Sequence, residues 1–255
     1  KKNKLLFNKL YKKIFFDISF DKSISKFDEN IDIAIISTNS DIRKKIISKL
    51  ISNNKVKAMI LEKVIFQNID DYTKMKNIFI KKNILVTVNM PRRIYKSYIK
   101  LKKENLDIRN SNMIVIGNNW GLASNSVHMM DIFLFLTSSK KLKLISSDLS
   151  VEDIYSKREG FIEFKGTLKF VNEKGNFLIL NDLNYNKKSS EHSICIENNI
   201  TQYNIFENYN KIIKINKKNK SFFINQFLIP YQSNLTHKIL YDYLKKDVIK
   251  LTNYN

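Results

Sequence analysis

Apolar positions fall into two textures along the 255-residue chain. Through residue 93, near-continuous apolar runs alternate with amphipathic segments. Beyond residue 160, short runs are separated by turns. Residues 1–11 carry Leu5, Leu6, Phe7 and Leu10 among lysines and read as the tail of an amphipathic helix. Residues 12–20, with Ile14, Phe15, Phe16 and Ile18, read as a strand. Ile31-Asp32-Ile33-Ala34-Ile35-Ile36 predicts a strand buried on both faces of a parallel sheet. Ser37-Thr38-Asn39-Ser40-Asp41 supplies capping residues for a helix over 42–52. The unit then repeats. Val56-Lys57-Ala58-Met59-Ile60-Leu61 is a strand ending in Glu62-Lys63, and Asp70 and Asp71 precede a helix through Ile80. Ile84-Leu85-Val86-Thr87-Val88 is another strand, ending in Asn89-Met90-Pro91-Arg92-Arg93.

Strand alternating with helix implies a doubly wound α/β sheet, whose ligands lie beyond the carboxyl ends of the strands. Here those ends are Ser37-Thr38-Asn39, Glu62-Lys63 and the segment 89–93, all polar. From Gly160 onward, 160–170, a turn at 172–175 and 176–180 make a hairpin. Strands follow at 193–197, 200–206, 212–215 and 222–227, with a closing helix at 235–244. The expected architecture is an incomplete Rossmann-like doubly wound parallel sheet over residues 1–93. An α+β substrate and oligomerisation domain with a largely antiparallel open sheet follows over 94–255. A helix after Pro91, over 94–104, is the expected crossing point.

A dinucleotide-binding fold normally opens with a strand and a Gly-rich turn that brings backbone close to the pyrophosphate. The first glycine here is Gly117. Either the chain is an N-terminally incomplete copy lacking that strand and loop, or the protein holds its cofactor otherwise. The first reading is preferred, because residue 1 already looks like the middle of a helix.

Charge changes the picture less than its size suggests. The net charge is +21, but the excess is nearly all lysine, spread over the whole chain beside abundant asparagine and isoleucine. Those are residues of A/T-rich codons. A phosphate-backbone binder more often concentrates arginine and aromatics on one element, so nucleic acid is not expected as the main partner. No apolar run approaches a membrane span and no signal peptide is visible. The single cysteine, Cys195, excludes an intramolecular disulfide and a multi-thiolate metal site, and a cytoplasmic protein fits. No zinc or calcium pattern is present; His192 and His237 lack metal-ligand spacing and read as structural.

The stretch 117–137 stands apart. It holds the only tryptophan, Trp120, two of five glycines and one of three histidines, and runs from a polar loop into a strongly apolar helix. His128 and Asp131 are three apart and share a helix face. Together with the Lys63 region they read as the two halves of an active site.

Taken together, these segments resemble the glucose–fructose oxidoreductase and inositol dehydrogenase family of NAD(P)-dependent enzymes over about residues 12–245. Residues 33–39 look like the family's strand ending in Thr-Pro, with Asn39 in place of proline. Leu61-Glu62-Lys63 looks like its Glu-Lys-Pro motif. Val64 replaces that proline, so a cis bond like the family's is not expected there. Residues 89–98 look like its Asn-x-x-Arg-plus-Tyr segment. Residues 120–131 look like its catalytic helix with histidine and a following aspartate; the family's aspartate four residues before the histidine is Ser124 here. The order and spacing of these motifs carry the likeness, since none is specific alone.

The resemblance implies NAD or NADP as cofactor, a sugar-like substrate, a homo-oligomer, and a branch associated with surface-polysaccharide or amino-sugar pathways. In hydride transfer from an alcohol, a group must take the hydroxyl proton. His128 is the candidate: the helix dipole disfavours its protonated form and Asp131 favours it, so its pKa is expected near working pH. The competing role is a helix-surface histidine paired to Asp131. Lys63 would stabilise developing alkoxide charge, or be one more solvated lysine. Ser37, Thr38, Asn39, Glu62 and Lys63 would line the cofactor cleft, with a plain helix cap as the competing role for Thr38 and Asn39. Asn89, Arg92, Arg93, Trp120, Asn125 and Asp131 are candidates for the substrate side. For Arg92 and Arg93 the competing role is surface ion pairing, for Trp120 a core position, and for Asn125 a helix cap. The alternative to an enzyme is a truncated, non-catalytic homologue acting as a binding or assembly subunit.

Overall fold

The computed structural model describes residues 21–24, 30–150, 154–155, 159–183, 190–231, 235 and 252–253. The helix expected over 1–11, the strand over 12–20 and all but Leu235 of the helix over 235–244 lie outside the described residues. The chain divides into two compact units, one of residues 1–60 and 66–86, the other of 61–65 and 87–255.

The first unit is built on β1 (Asn30–Ile36), α1 (Ser40–Asn53), β2 (Lys55–Leu61) as far as residue 60, α2 (Ile69–Lys81) and the start of β3 (Leu85–Val88), whose last two residues, Thr87 and Val88, belong to the second unit. The strands lie in the order β1-β2-β3 in a parallel sheet. Each helix buries residues at helical spacing: Ile47, Leu50 and Ile51 on α1, Met75 and Phe79 on α2. On β2, Val56, Ala58, Met59 and Ile60 are buried, as a doubly covered strand requires. The terminal strand in this order, β1, differs from its expected two-sided burial. Ala34 and Ile36 are buried, whereas Ile35 is 52% exposed.

The second unit begins, after Leu61–Ile65, with a 3₁₀ turn at Pro91–Ile94 and α3 (Lys96–Glu104). A second 3₁₀ turn at Leu106–Asn110 leads to β4 (Asn112–Asn118), α4 (Leu122–Thr137) and β5 (Leu142–Leu149). Short strands β6 (Ile154–Tyr155) and β7 (Ile162–Glu163) pair with each other. There follow β8 (Gly166–Asn172), β9 (Phe177–Leu183), β10 (Glu191–Glu197), β11 (Thr201–Phe206), β12 (Lys211–Asn216) and β13 (Ser221–Gln226). A 3₁₀ turn at Glu207–Tyr209 joins β11 to β12. β14 (Thr252–Asn253) pairs antiparallel with Val88 and Thr87.

The large sheet has eight strands in the order β13-β12-β11-β10-β4-β9-β8-β5. Every pairing is antiparallel except β4 with β9, which run parallel. Register aligns one buried row across it: Val115 opposes Ile194 and Leu180, and Ile194 opposes Ile205. Met129, Ile132, Phe133 and Leu136 of α4 join this row in a single core with Tyr98 and Leu101 of α3. Residues one position along the strands face the other way, where Ile116, Phe222 and Ile224 are exposed. β4 and β5 have no counterpart among the expected strands. The hairpin is present, but its first strand starts at Gly166 rather than residue 160. Among the described residues no helix is long and apolar enough to cross a membrane.

Candidate functional site

The central strand β4 ends at the stretch that stands apart in the sequence. Gly117, near its carboxyl end, is opposite Asp182 on one side and His192 on the other. A Cβ at Gly117 would run into the Glu191 carbonyl and would sit 2.7 Å from both His192 Cβ and Trp120 Cδ1. Only glycine lets the backbones close here. Gly117→Ala is therefore expected to destabilise the protein by about 1–3 kcal/mol by urea denaturation, with a changed tryptophan emission as Trp120 is pushed aside.

Two carboxylates hold the loop that follows. Asp182, buried, accepts from Asn119 N at 2.7 Å and from Gly121 N at 3.1 Å. Gly121 is the N-cap of α4, in the left-handed conformation with φ 81°, and has no side chain to cap with. Glu163 of β7 takes over that function, its Oε2 accepting from Ala123 N at 2.9 Å and Ser124 N at 3.3 Å. Asn125 lies one turn inside the helix, not at the cap position. Its Nδ2 donates to Trp120 O at 2.6 Å.

On this first turn sits Lys63. Its Nζ donates to Ser124 O at 2.6 Å and to Asn125 Oδ1 at 2.8 Å. The Lys63–Val64 peptide is cis even though valine stands in the proline position. Beside it, Asn89 Nδ2 donates to Glu62 Oε2 at 2.9 Å, and Asn89 N to Leu61 O at 2.8 Å. Lys63 and Asn125, assigned from sequence to opposite halves of a site, are thus hydrogen-bonded, and His128 follows one turn later on α4.

Both arginines meet carboxylates. Arg93 Nε donates to Asp131 Oδ1 at 2.9 Å and Oδ2 at 2.8 Å. Arg92 donates from Nε and Nη2 to Glu207, at 2.9 Å to Oε1 and 2.6 Å to Oε2. Tyr98 OH donates to Glu207 Oε1 at 2.8 Å, and His192 Nε2 lies 3.5 Å from Oε2. Burial works against a charged carboxylate, but the charge of Arg92, the nearby His192 ring and the hydrogen bonds from Arg92 and Tyr98 outweigh it, holding the Glu207 carboxyl well below its usual range. Burial likewise opposes the charge on Arg92, and Glu207 more than offsets it. These pairs are largely buried, unlike surface ion pairs. Trp120 is buried too, in the core of the second unit, with Nε1 donating to Asn181 O at 2.9 Å. The sequence reading missed Glu207, Glu163 and Asp182. Each is an acid on or next to a strand, at no distinguishing spacing from the residue it holds.

His128 is half-buried, and its Nδ1 is buried without a hydrogen-bond partner. Burial, the charge of Arg92 and the charge of Lys63, in that order, pull its pKa down to about 3, against a smaller upward pull from Glu207. This corrects the expected balance near working pH. Asp131, which was to favour the protonated ring, has its carboxylate on Arg93, and two cations act on His128 instead. The unfolded chain takes up a proton at the ordinary value of 6.5 while the folded one refuses it until about 3. Stability is therefore complete above pH 6.5 and falls as pH drops through that window. A loss of about 2 kcal/mol between pH 7 and pH 5 is expected. Urea midpoints at the two pH values measure it, and His128→Gln should remove it.

In the first unit, Thr38 Oγ1 is buried without a hydrogen-bond partner, and Arg43 donates to the Thr38 carbonyl. Asn39 is the N-cap of α1 but makes no side-chain cap bond, and Ser37 is exposed. Among the described residues no cluster of three or more His, Cys, Asp or Glu side chains is placed to hold a metal.

The sequence matches no protein-family model and no curated protein. Solved structures do match the fold. A super-repressor mutant of Gal80p from Saccharomyces cerevisiae superposes with a TM-score of 0.68 at 13% identity, over 98% of this chain and 76% of that one. The UDP-N-acetylglucosamine 3-dehydrogenase GnnA from Acidithiobacillus ferrooxidans gives 0.64 at 8% identity, over 88% and 72%. An oxidoreductase from Agrobacterium radiobacter, solved with NAD+, L-tartaric acid and magnesium, gives 0.61 at 12% identity, over 88% and 72%. At such identities the likeness establishes the fold alone, a parallel α/β sheet and a large, mostly antiparallel sheet.

Proposed function

We propose that this chain is an NAD(P)-dependent oxidoreductase acting on a hydroxyl or keto group of a sugar derivative, with surface-polysaccharide biosynthesis as its setting in the cytoplasm. One observation carries the reading: the Lys63 ammonium is docked on the first turn of the helix that bears a neutral His128. The fold is shared with a protein solved with NAD+ and with a dehydrogenase of a nucleotide sugar.

The residues at the end of β1 fit a nicotinamide dinucleotide. A buried Thr38 hydroxyl lacks a partner, and the α1 N-terminus has no side-chain cap. Ser37, Thr38 and Asn39 are the candidates to hold the cofactor; when bound it accepts or donates the hydride. The chain's own residues handle the oxygen and its proton. His128 is unprotonated at neutral pH and so free to accept a proton. An oxygen that gains negative charge beside Lys63 offsets that lysine's influence and makes the imidazole more basic as reaction proceeds. Asn125 and Asn89 would orient the substrate, while Arg92, Arg93, Trp120 and Asp131 shape that side through the contacts described above.

Titrating NADH and NADPH against the protein, followed by nicotinamide fluorescence, tests this. Saturable binding of either is expected; binding of neither would sink the enzyme reading. The second reading, a non-catalytic binding or assembly subunit, is favoured by the shared fold of the Gal80p repressor, and predicts that neither nucleotide supports turnover. A homo-oligomer joined through the exposed sheet face bearing Ile116, Phe222 and Ile224 completes the proposal. A monomer in sedimentation velocity would contradict it.

A further inference from the structure

Glu163 holds more of this site than its place in the chain suggests. It lies on β7, which pairs with β6 in a two-stranded sheet apart from the eight-stranded one. An ordinary N-cap side chain accepts from the second or third amide of its helix. On α4 those amides belong to Ala123 and Ser124, and Glu163 Oε2 takes both. Polar side chains at the start of the helix are engaged elsewhere. Ser124 Oγ donates to Gly121 O at 3.4 Å, Asn125 Nδ2 to Trp120 O at 2.6 Å, and Ser126 Oγ to Leu122 O. With its Nδ2 tied back, Asn125 presents Oδ1 to Lys63, beside Ser124 O. Ser124 is thus held on both sides, its N–H by Glu163 and its carbonyl by Lys63. In an α-helix that same carbonyl accepts from the amide four residues on, here the amide of His128. Two residues beyond Glu163, Lys165 is buried and donates from Nζ to Asn119 Oδ1 at 2.5 Å, so one short segment grips both the loop and the turn.

We propose that Glu163 is a positioning residue for Lys63: by holding the Ala123 and Ser124 amides it keeps Ser124 O and Asn125 Oδ1 in place as the seat of the ammonium. The seat is a matter of geometry; its use in catalysis rests on the reading of Lys63 and His128 given above. Without the carboxylate, two amides at the positive end of the helix lose their acceptor, and the turn opens to find water. Opening moves Ser124 O and Asn125 Oδ1 together, because they belong to successive residues of one turn. Lys63 then loses both partners at once. A cap that served only the fold would add stability and leave Lys63 seated, with or without Glu163, in the folded protein.

Competitive acetylation of the folded protein with trace acetic anhydride, read peptide by peptide by mass spectrometry, separates the two roles. Lys102 is the internal reference, since its Nζ donates to Phe135 O at the far end of the same helix. In Glu163→Ala, Lys63 is expected to react about fivefold faster relative to Lys102, the scale on which loss of a helix cap raises the opened population. Glu163→Gln keeps an acceptor oxygen at the same reach and should bring the ratio back to within about twofold of native. An unchanged ratio in Glu163→Ala, or an equal rise in both variants, overturns the proposal. A second variant reads the link from its other end, even if Glu163→Ala does not fold. Coupling is reciprocal, so in Lys63→Met the Ala123 and Ser124 amides should exchange hydrogen faster by a similar factor. Unchanged exchange at both amides overturns the proposal as well. None of these readouts needs a nucleotide. Failure of the protein to bind NADH or NADPH therefore removes the enzyme reading and leaves this one standing.

Discussion

Glu207→Ala is expected to cost about 3–5 kcal/mol of stability, the usual penalty for removing one partner of a buried ion pair. The arginine side chain is only 16% exposed, so its charge loses compensation without gaining water. The Tyr98 hydroxyl, fully buried, loses its acceptor as well. Chemical denaturation measures the loss, and a change below about 1 kcal/mol would mean that Arg92 reaches solvent at no cost. Removing both charges together, as Arg92→Leu/Glu207→Leu, should be far less damaging than Glu207→Ala alone, because apolar side chains of similar volume replace a buried pair with little net loss.

The second large effect concerns Lys63. Lys63→Met keeps the unbranched side chain out to the ε carbon and removes the ammonium. Turnover of whichever sugar derivative serves as substrate should fall by about 10²–10³-fold, the scale seen when a preorganised donor to a developing oxyanion is lost. Lys63→Arg should not restore it, since no single nitrogen of a planar guanidinium can donate to Ser124 O and Asn125 Oδ1 and keep a third proton for the substrate, as the ammonium does. The same variants carry an internal control. Because the Lys63 charge lowers the His128 pKa, Lys63→Met should raise it whatever the substrate. An imidazole that titrates at the same pH in Lys63→Met would show that the two groups do not sense each other.

The first unit was legible because each of its elements announces itself locally. β2 is an apolar run bounded by charge, and α1 and α2 carry their buried residues at helical spacing. The places of the two proposed catalytic residues were legible for a related reason: Lys63 follows a strand end, and His128 lies early in a helix. β4 and β5 were not legible. Ile114-Val115-Ile116 leads straight into the polar loop, and its pairing partners are β9 and β10, more than sixty residues onward in the chain. β5 is an edge strand whose residues are mostly exposed, including Lys143, Ser146 and Ser147, so apolar alternation is weak. The protonation of His128 was misjudged for a different cause. Spacing puts Asp131 on its face, but spacing cannot tell that Arg93 claims that carboxylate, or that the charges of Arg92 and Lys63 act on the ring instead.

The borrowed cap on α4 has a consequence for how the protein reaches its working form. A helix normally finishes its own first turn with a residue next door, within the time that local structure takes to form. Here the amides of Ala123 and Ser124 wait for Glu163, 40 and 39 residues later, and the carbonyl of Ser124 waits for Lys63, 61 residues earlier. The turn that presents the lysine beside the histidine is thus assembled by two loop closures in opposite directions. Each must overcome chain entropy before its contact is gained. In refolding from denaturant, helical signal should return first, and the site should be among the last parts of the protein to acquire its shape.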